Sequence, residues 1–486
     1  MNRLLVVAFS LGLIVGSLFL VMAAAYGVGG WVENNLFTGA SFITNILVLM
    51  LAIVMIIATL LTIAERKWSA WMQDRIGPNR ARLPIPGLSN NSLAGIPHII
   101  TDVFKMLTKE AFTPKSASKF LFNLAPILAF APVFALFAIV PAGPTVTVMG
   151  KQIMMVSANP DFGLLYLFAI ASLAVYGASL AGWASNNKFA LLGGVRASSQ
   201  MISYEVALGL SLVGMMIAFG TVKLAGDTGM SAMQAGYLWN TTILGVDVGV
   251  PQWGFLLQPI GFLLFFAAAF AETKRAPFDT PEGESEIVGY FLEYSGMQFG
   301  MFMIAEFVEV VVLAGVLVAI FFGGWSLPFG NQWLTNLPVM KANGWLLGAI
   351  LGTVFWIKVI LLIYLQLVVR WTFPRFRYDQ VQKLGWQILL PAGLINLFVS
   401  GALILQDPSL KLLAFFGLAE IGVFAFLTVT PAAQVRREAE HAAHGGGHGH
   451  GHGGHGAHDD HGHAALPATA ATTTLAASVA AGSHTH

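Results

Sequence analysis

An all-α, polytopic helical membrane fold of about ten spans is predicted by three features of the sequence: its composition, the length of its apolar runs, and the one-sided placement of its basic residues. Of 486 residues, 56% are hydrophobic and only 10% charged, a balance that water-soluble domains of this size do not carry. Apolar runs long enough, or nearly so, to cross a bilayer lie at about 4–26, 42–64, 120–141, 163–182, 201–219, 255–271, 300–322, 345–368, 385–404 and 411–429. Arg3, the segment 66–119, Lys188, Arg196, Lys274, Arg275, Arg370, Arg375, Arg377, Lys383, Arg436 and Arg437 fall on one side of these spans. Only Lys151, Lys223, Lys341 and Lys411 fall on the other. The positive-inside bias makes the first side cytoplasmic and places both termini there.

The first run is longer than a signal-peptide core and has no convincing cleavage site, so it reads as a retained helix. After the second run, Glu65, Arg66 and Lys67 stand at a helix exit, and Gly77-Pro78-Asn79 gives a turn signal. A Pro-, Gly- and Asn-rich loop from Leu83 to Gly95 follows. The segment from Ile99 to Glu110 is amphipathic at helical spacing, with Ile99, Ile100, Val103, Phe104, Met106 and Leu107 on one arc and Asp102, Lys105 and Lys109 on the other. Such a helix lies in the interface plane, either anchoring the loop or lining a site.

Ionisable residues recur inside the later runs: Glu205, Glu306, Glu309, Lys358 and Glu420. Glu306 and Glu309, three apart, share a helix face. A carboxylate in a bundle lines an ion or proton path or is neutralised by a partner, as a glutamate with Lys358 would be.

Six of the 24 acidic residues fall in one cytoplasmic segment, at Glu272, Asp279, Glu282, Glu284, Glu286 and Glu293. The alternative of a solvated linker fits poorly with Pro277, Phe278 and Pro281 and with the aromatics near its end. Thr280-Pro281 reads as a helix start, with Glu282 and Glu284 in the first turn. The spacing of two turns Glu282, Glu284 and Glu286 to different faces, which suits a junction better than a single metal site.

Cysteine is absent, which excludes an all-cysteine iron–sulfur cluster or a disulfide within this chain. Eleven of twelve histidines lie beyond residue 440, so a bis-histidine haem in the membrane is excluded too. No glycine-rich dinucleotide fingerprint follows a strand pattern. The histidine- and glycine-rich tail from Glu438 onward is low-complexity, predicted disordered, and offers either weak transition-metal binding or a solvated appendage.

Four cytoplasmic motifs carry a resemblance: AERKWSAWMQDRIGPNR at 64–80, YGASLAGWASNNKFALLGGVRASSQMISYEVALGL at 176–210, AETKRAPFDTPEGESE at 271–286 and FPRFRYDQVQKLGW at 373–386. Together they resemble the H-subunit family of bacterial NADH-quinone oxidoreductase (respiratory complex I), whose mitochondrial homologue is NADH dehydrogenase subunit 1. The resemblance implies an eight-helix family core over 42–404, one extra helix at each end (1–41 and 405–437) and a disordered tail over 438–486. Lys274 stands where asparagine is usual in that family.

What the resemblance further implies is a chamber for the quinone headgroup and a link from its reduction to proton translocation. The quinone is substrate, while FMN and iron–sulfur clusters reside on partner subunits. Peripheral iron–sulfur and quinone-site subunits, small membrane subunits and membrane lipids are the partners, in the bacterial inner membrane. Glu65, Arg66, Arg75, Asp102 and Lys105 would line the chamber, with Arg275 and Phe278 at its inner end. Glu205, Glu272, Asp279, Glu282, Glu284, Glu286 and Glu293 would form the acidic path. Arg370, Arg375 and Arg377 would meet lipid headgroups or a peripheral partner. Two other readings remain: the equivalent membrane component of a membrane-bound hydrogenase, and a proton-coupled transporter, for which no inverted repeat is visible.

Overall fold

The computed structural model describes residues 2–35, 41–81, 95–243, 246–283, 286–328 and 330–445. Helix α1 spans Asn2–Asn35, α2 Ser41–Met72, α3 Pro97–Thr108, α4 Lys119–Phe137, α5 Gly163–Ala184 and α6 Lys188–Phe219. Helix α7 is Pro259–Glu272, α8 Gly296–Phe321, α9 Gly344–Thr372, α10 Tyr378–Gln406 and α11 Lys411–Gly445. Two antiparallel hairpins interrupt the helices: β1 (Val146–Val148) with β2 (Lys151–Ile153), and β3 (Tyr237–Ile243) with β4 (Val246–Pro251).

Among the described residues, nine helices are long and apolar enough to cross a membrane, which makes the chain a multi-pass membrane protein. The run expected at 255–271 is shorter. Its helix α7 has 14 residues, about 21 Å at the α-helical rise, against a hydrocarbon core of about 30 Å. The described residues up to Phe424 form one compact unit, and those from Ala425 onward belong to a second. In the second unit, residues 438–445 of the tail expected to be disordered belong to helix α11, as their Ala- and Glu-rich composition favours. The rest of the tail lies outside the described residues.

Helix α8 is the central post: every residue from Ala305 to Phe321 is buried. A helix apolar on all sides is stable only when packed on all sides, and α2, α4, α7 and α9 surround it. Small residues allow the closest crossings. A Cβ on Gly177 of α5 would lie 2.6 Å from the backbone of Ala129 in α4, so only glycine fits there. Pro126 and Pro132 sit inside α4, as neighbouring helices in a bundle allow.

Helix α1 docks on α9 and the first hairpin. Tyr26, fully buried, lies against Gly348 and donates its hydroxyl to the Pro144 carbonyl at 2.9 Å. At the other edge, the start of α7 lacks a cap of its own. Gln258 occupies the N-cap position without a side-chain bond, and Pro259 has no N–H. The Glu420 carboxylate of α11 instead accepts from the Ile260 N–H, a favourable place for negative charge.

Candidate functional site

The site lies where α2, α3, α8 and α9 meet the segment that follows α7. Glu65, on the last turns of α2, is buried, and one carboxylate oxygen accepts from both Arg275 and Arg370. Arg275 also stacks over the Phe307 ring of α8 at 4.3 Å. Two guanidiniums on one carboxylate leave a local excess of positive charge. They also tie α2 and α9 to the segment after α7.

Beside Glu65 opens a cavity of ≈210 Å³. Its walls come from Ala58, Thr59 and Thr62 of α2, Ile99, Asp102, Val103 and Met106 of α3, and Met303, Ile304 and Phe307 of α8, with Glu65 and Arg66 at the polar end. Arg66 pairs with Asp102 at 2.6 Å, with side chains 50% and 35% exposed, so that bridge orients more than it stabilises. An apolar slot with a few convergent charged groups suits a flat hydrophobic ring bearing polar oxygens.

Helix α3 forms over Pro97–Thr108 as the periodicity predicts, but its faces divide differently. Ile99, Asp102, Val103 and Met106 look into the cavity, while Ile100, Phe104 and Leu107 point outward, 50%, 62% and 60% exposed. The helix has apolar residues on two sides because it stands between a cavity and its surroundings. Lys105 is exposed and does not line the cavity. Arg75 lies in an adjoining outer groove with Arg66, Asp74 and Arg80. Phe278 is buried between the rings of Tyr204 and Phe376, away from the cavity.

A second cluster lies deeper. Glu306 and Glu309 of α8 face a ≈10 Å³ void together with Lys274 and Tyr290, space for about one water. Lys274 Nζ is 3.7 Å from Glu309, and the Tyr290 hydroxyl donates to Glu306 at 3.2 Å. The Glu282 carboxyl lies within hydrogen-bonding reach of Glu306. Burial pushes the Glu282 carboxyl well above the usual carboxylate range, and the negative charge of Glu306 adds to this. Burial works against the Lys274 ammonium, yet Glu309, Glu306, Glu282 and Glu272 together raise its pKa. Tyr290 is raised as well, by burial first and then by Glu306.

Glu272, at the end of α7, is buried and within electrostatic reach of Glu205, Glu309 and Lys274. Glu205 of α6 accepts from the Ser172 hydroxyl of α5. Other members of the predicted acidic path sit on its rim. Asp279 pairs with Arg375 at 2.6 Å, Glu286 with Arg196 at 2.7 Å, and Glu293 accepts from Asn187 at 2.7 Å. Glu284 lies outside the described residues.

Three expectations are corrected. No helix starts at Thr280-Pro281: residues 279–283 are irregular. The buried Gln200 amide of α6 donates to the Ala271 and Phe278 carbonyls and accepts from the Thr280 hydroxyl. Those bonds hold the segment in a folded loop. Among the described residues, Lys358 is paired with no glutamate. Its ammonium bonds the carbonyls of Phe322, Gly324 and Ser326 at 2.5–3.0 Å, beyond the end of α8, and lies 4.3 Å over the Trp253 ring. Finally, Arg370 and Arg375 hold Glu65 and Asp279, and are thereby engaged within the chain. Gln200 and Tyr290 were not singled out by the sequence, where nothing but position in the motif segments marks them.

A family model described as NADH dehydrogenase matches residues 44–401. The chain is 39% identical over 372 residues to a Flavobacterium johnsoniae protein named as the H subunit of NADH-quinone oxidoreductase, covering 76% of this chain and 97% of that one. It is 40% identical over 363 residues to the protein of the same name from Flavobacterium psychrophilum, covering 74% and 96%. A Geobacter sulfurreducens protein, named as the second H subunit of NADH-quinone oxidoreductase, is 40% identical over 354 residues, covering 73% and 93%.

Proposed function

Because the chain belongs to the NADH dehydrogenase family, we propose that it is the membrane subunit of a proton-translocating NADH-quinone oxidoreductase in a bacterial inner membrane. In this reading the cavity beside Glu65 takes the quinone headgroup, and the carboxylate cluster answers its reduction. NADH, FMN and the iron–sulfur clusters belong to partner subunits of the complex. Both termini face the cytoplasm.

One observation carries the proposal. Lys274 and Arg275 are consecutive, yet Arg275 bonds Glu65 at the cavity while Lys274 pairs with Glu309 in the cluster. A charge change at Glu65 is therefore passed to the cluster through one peptide unit. Reducing a quinone to a quinol takes up two electrons and two protons. As negative charge develops on the quinone oxygen, Arg66 stabilises it. Arg275 is drawn toward the same charge, and the attached Lys274 shifts its balance among the four carboxylates that raise it. The proton that burial holds on the Glu282 carboxyl is the one such a shift would release or recapture.

The test has two arms in proteoliposomes of the complex. Replacing Arg66 or Arg75 by Ala should raise the apparent KM for short-chain quinones while the complex still assembles. Glu205→Gln and Glu282→Gln should lower quinone reduction and proton translocation together. Unchanged KM in both arginine variants would move the chamber elsewhere, and wild-type rates and stoichiometry in both glutamine variants would remove the coupling role.

A further inference from the structure

Lys274 is the first residue past the C-cap of α7, and its backbone is left-handed, with φ at +56°. Helices commonly end on such a residue, and it is ordinarily glycine or asparagine, because a larger side chain crowds the backbone there. Lysine is therefore at a conformational disadvantage in this position. Solvent does not hold it there either, since its side chain is 8% exposed. What lysine brings that glycine or asparagine does not is a charge.

That charge lands among carboxyls from three parts of the chain. Glu309 of α8, its side chain 7% exposed, is 3.7 Å from Lys274 Nζ, and Glu306 lines the same void. Glu282, in the segment after α7, and Glu272, at the end of α7, act on the ammonium as well. Glu272 feels Glu205 of α6 in turn, and Glu282 feels Asp279. Tyr290 adds a hydroxyl, and α4 and α5 close the void with Ala129, Ala174 and Ala178. The nearby guanidiniums are bonded elsewhere, Arg275 to Glu65, Arg375 to Asp279 and Arg196 to Glu286, although Arg275 still acts on Glu309. Four carboxyls and one ammonium thus share a nearly dry space, where a charge without a partner is neutralised by a proton.

We propose that Lys274 is the fixed counter-charge of this cluster and stands in for one proton, so that the four carboxyls hold one proton fewer than they would without it. A proton can leave, whereas an ammonium tethered to the end of α7 cannot. The unfavourable backbone is accepted because the turn delivers that ammonium to Glu309. The charge balance is a property of the folded chain, and its bearing on proton translocation rests on the function proposed above. There it sets how many protons the cluster has left to exchange when the quinone is reduced.

The test compares wild type, Lys274→Asn and the double variant Lys274→Asn with Glu309→Gln in the full complex. Asparagine suits the left-handed backbone, so the single variant removes the charge without straining the turn. Its folded state should keep a proton on one carboxyl that wild type releases, while the unfolded chains of both release theirs at about pH 4. A carboxyl raised in the folded variant costs it stability as pH rises, so the thermal midpoint of wild type should gain on that of Lys274→Asn from about pH 4 toward neutrality. Infrared difference spectra at neutral pH should show one additional protonated carboxyl per chain in the variant. The double variant, which removes one charge of each sign, should lose both signatures. A midpoint difference that is constant with pH, an unchanged infrared count, or signatures that persist in the double variant would overturn the assignment. If Lys274→Asn does not assemble, the double variant should, and loss of assembly in both would overturn it as well. Wild-type quinone reduction and proton translocation in a Lys274→Asn complex that shows both signatures would uphold the charge balance and remove the cluster from coupling.

Discussion

Glu65→Gln tests the arrangement at its most connected point. Glu65 accepts from two guanidiniums, with side-chain exposures of 11% for Glu65, 7% for Arg275 and 27% for Arg370. Glutamine keeps the shape but leaves two cations facing a neutral amide, one of them buried. Removing one partner of a buried pair costs about 3–5 kcal/mol. Arg275→Met costs less, because Glu65 keeps Arg370. It forfeits one charge-assisted bond, about 1.5–3 kcal/mol, and the stacking on Phe307, about 0.5–2 kcal/mol. Arg370→Met costs least, since Arg370 is partly solvated and solvent screens its share. The predicted order of loss is therefore Glu65→Gln, Arg275→Met, Arg370→Met. Thermal midpoints of the detergent-solubilised complex measure it, with assembly followed on native gels. Equal losses for the two arginine variants, or a loss below about 1 kcal/mol for Glu65→Gln, would refute the burial argument.

The other predictions concern single interactions. Glu282→Gln should be as stable as wild type in acid and increasingly more stable as pH rises. The raised carboxyl keeps its proton in the folded chain after the unfolded chain has released it at about pH 4; a difference that is constant with pH would contradict the shift. Lys358→Met should lose about 1.5–3 kcal/mol, from ammonium bonds to carbonyls that then lack a donor, and Lys358→Arg should recover part of it. Equal midpoints for Lys358→Met and wild type would show that those carbonyls find other donors. Glu420→Ala should cost about 0.5–2 kcal/mol as a lost cap, read as a lower thermal midpoint, and no change would mean that α7 starts unaided.

Composition and apolar run length were enough to read the helical bundle, because the membrane imposes them on every span. They misjudged α7, whose apolar run merges in sequence with the turn Gly254–Leu257 and so looks longer than its helix. Glu65, Arg66 and Asp102, which line one cavity, were brought together by the motif resemblance, whereas helical phase had set Asp102 apart from Ile99, Val103 and Met106. The loop was not legible. A Thr-Pro start signal is local, whereas the competing bonds come from Gln200, some 80 residues earlier. Likewise, Lys358 had an attractive partner in sequence, a glutamate of α8, but carbonyls at the end of that same helix took all three of its donors. Partner choice among buried charges depends on helix rotation and depth, and periodicity fixes neither.

The burial of α8 on every side has a consequence for how the chain is made. Its two glutamates enter the bilayer before α9 has been synthesised, and each uncompensated carboxylate in a membrane helix costs about 2.5–3.5 kcal/mol on insertion scales. Lys274, the counter-ion of Glu309, and Glu282, whose carboxyl lies beside Glu306, both precede α8 in the chain. They have left the ribosome by the time α8 must enter. The N-terminal end of α8 therefore arrives at charges already waiting for it, while its C-terminal end remains unsatisfied until Lys358 follows. Biogenesis stalled between the two would leave the carbonyls of Phe322, Gly324 and Ser326 without the donor that α9 brings.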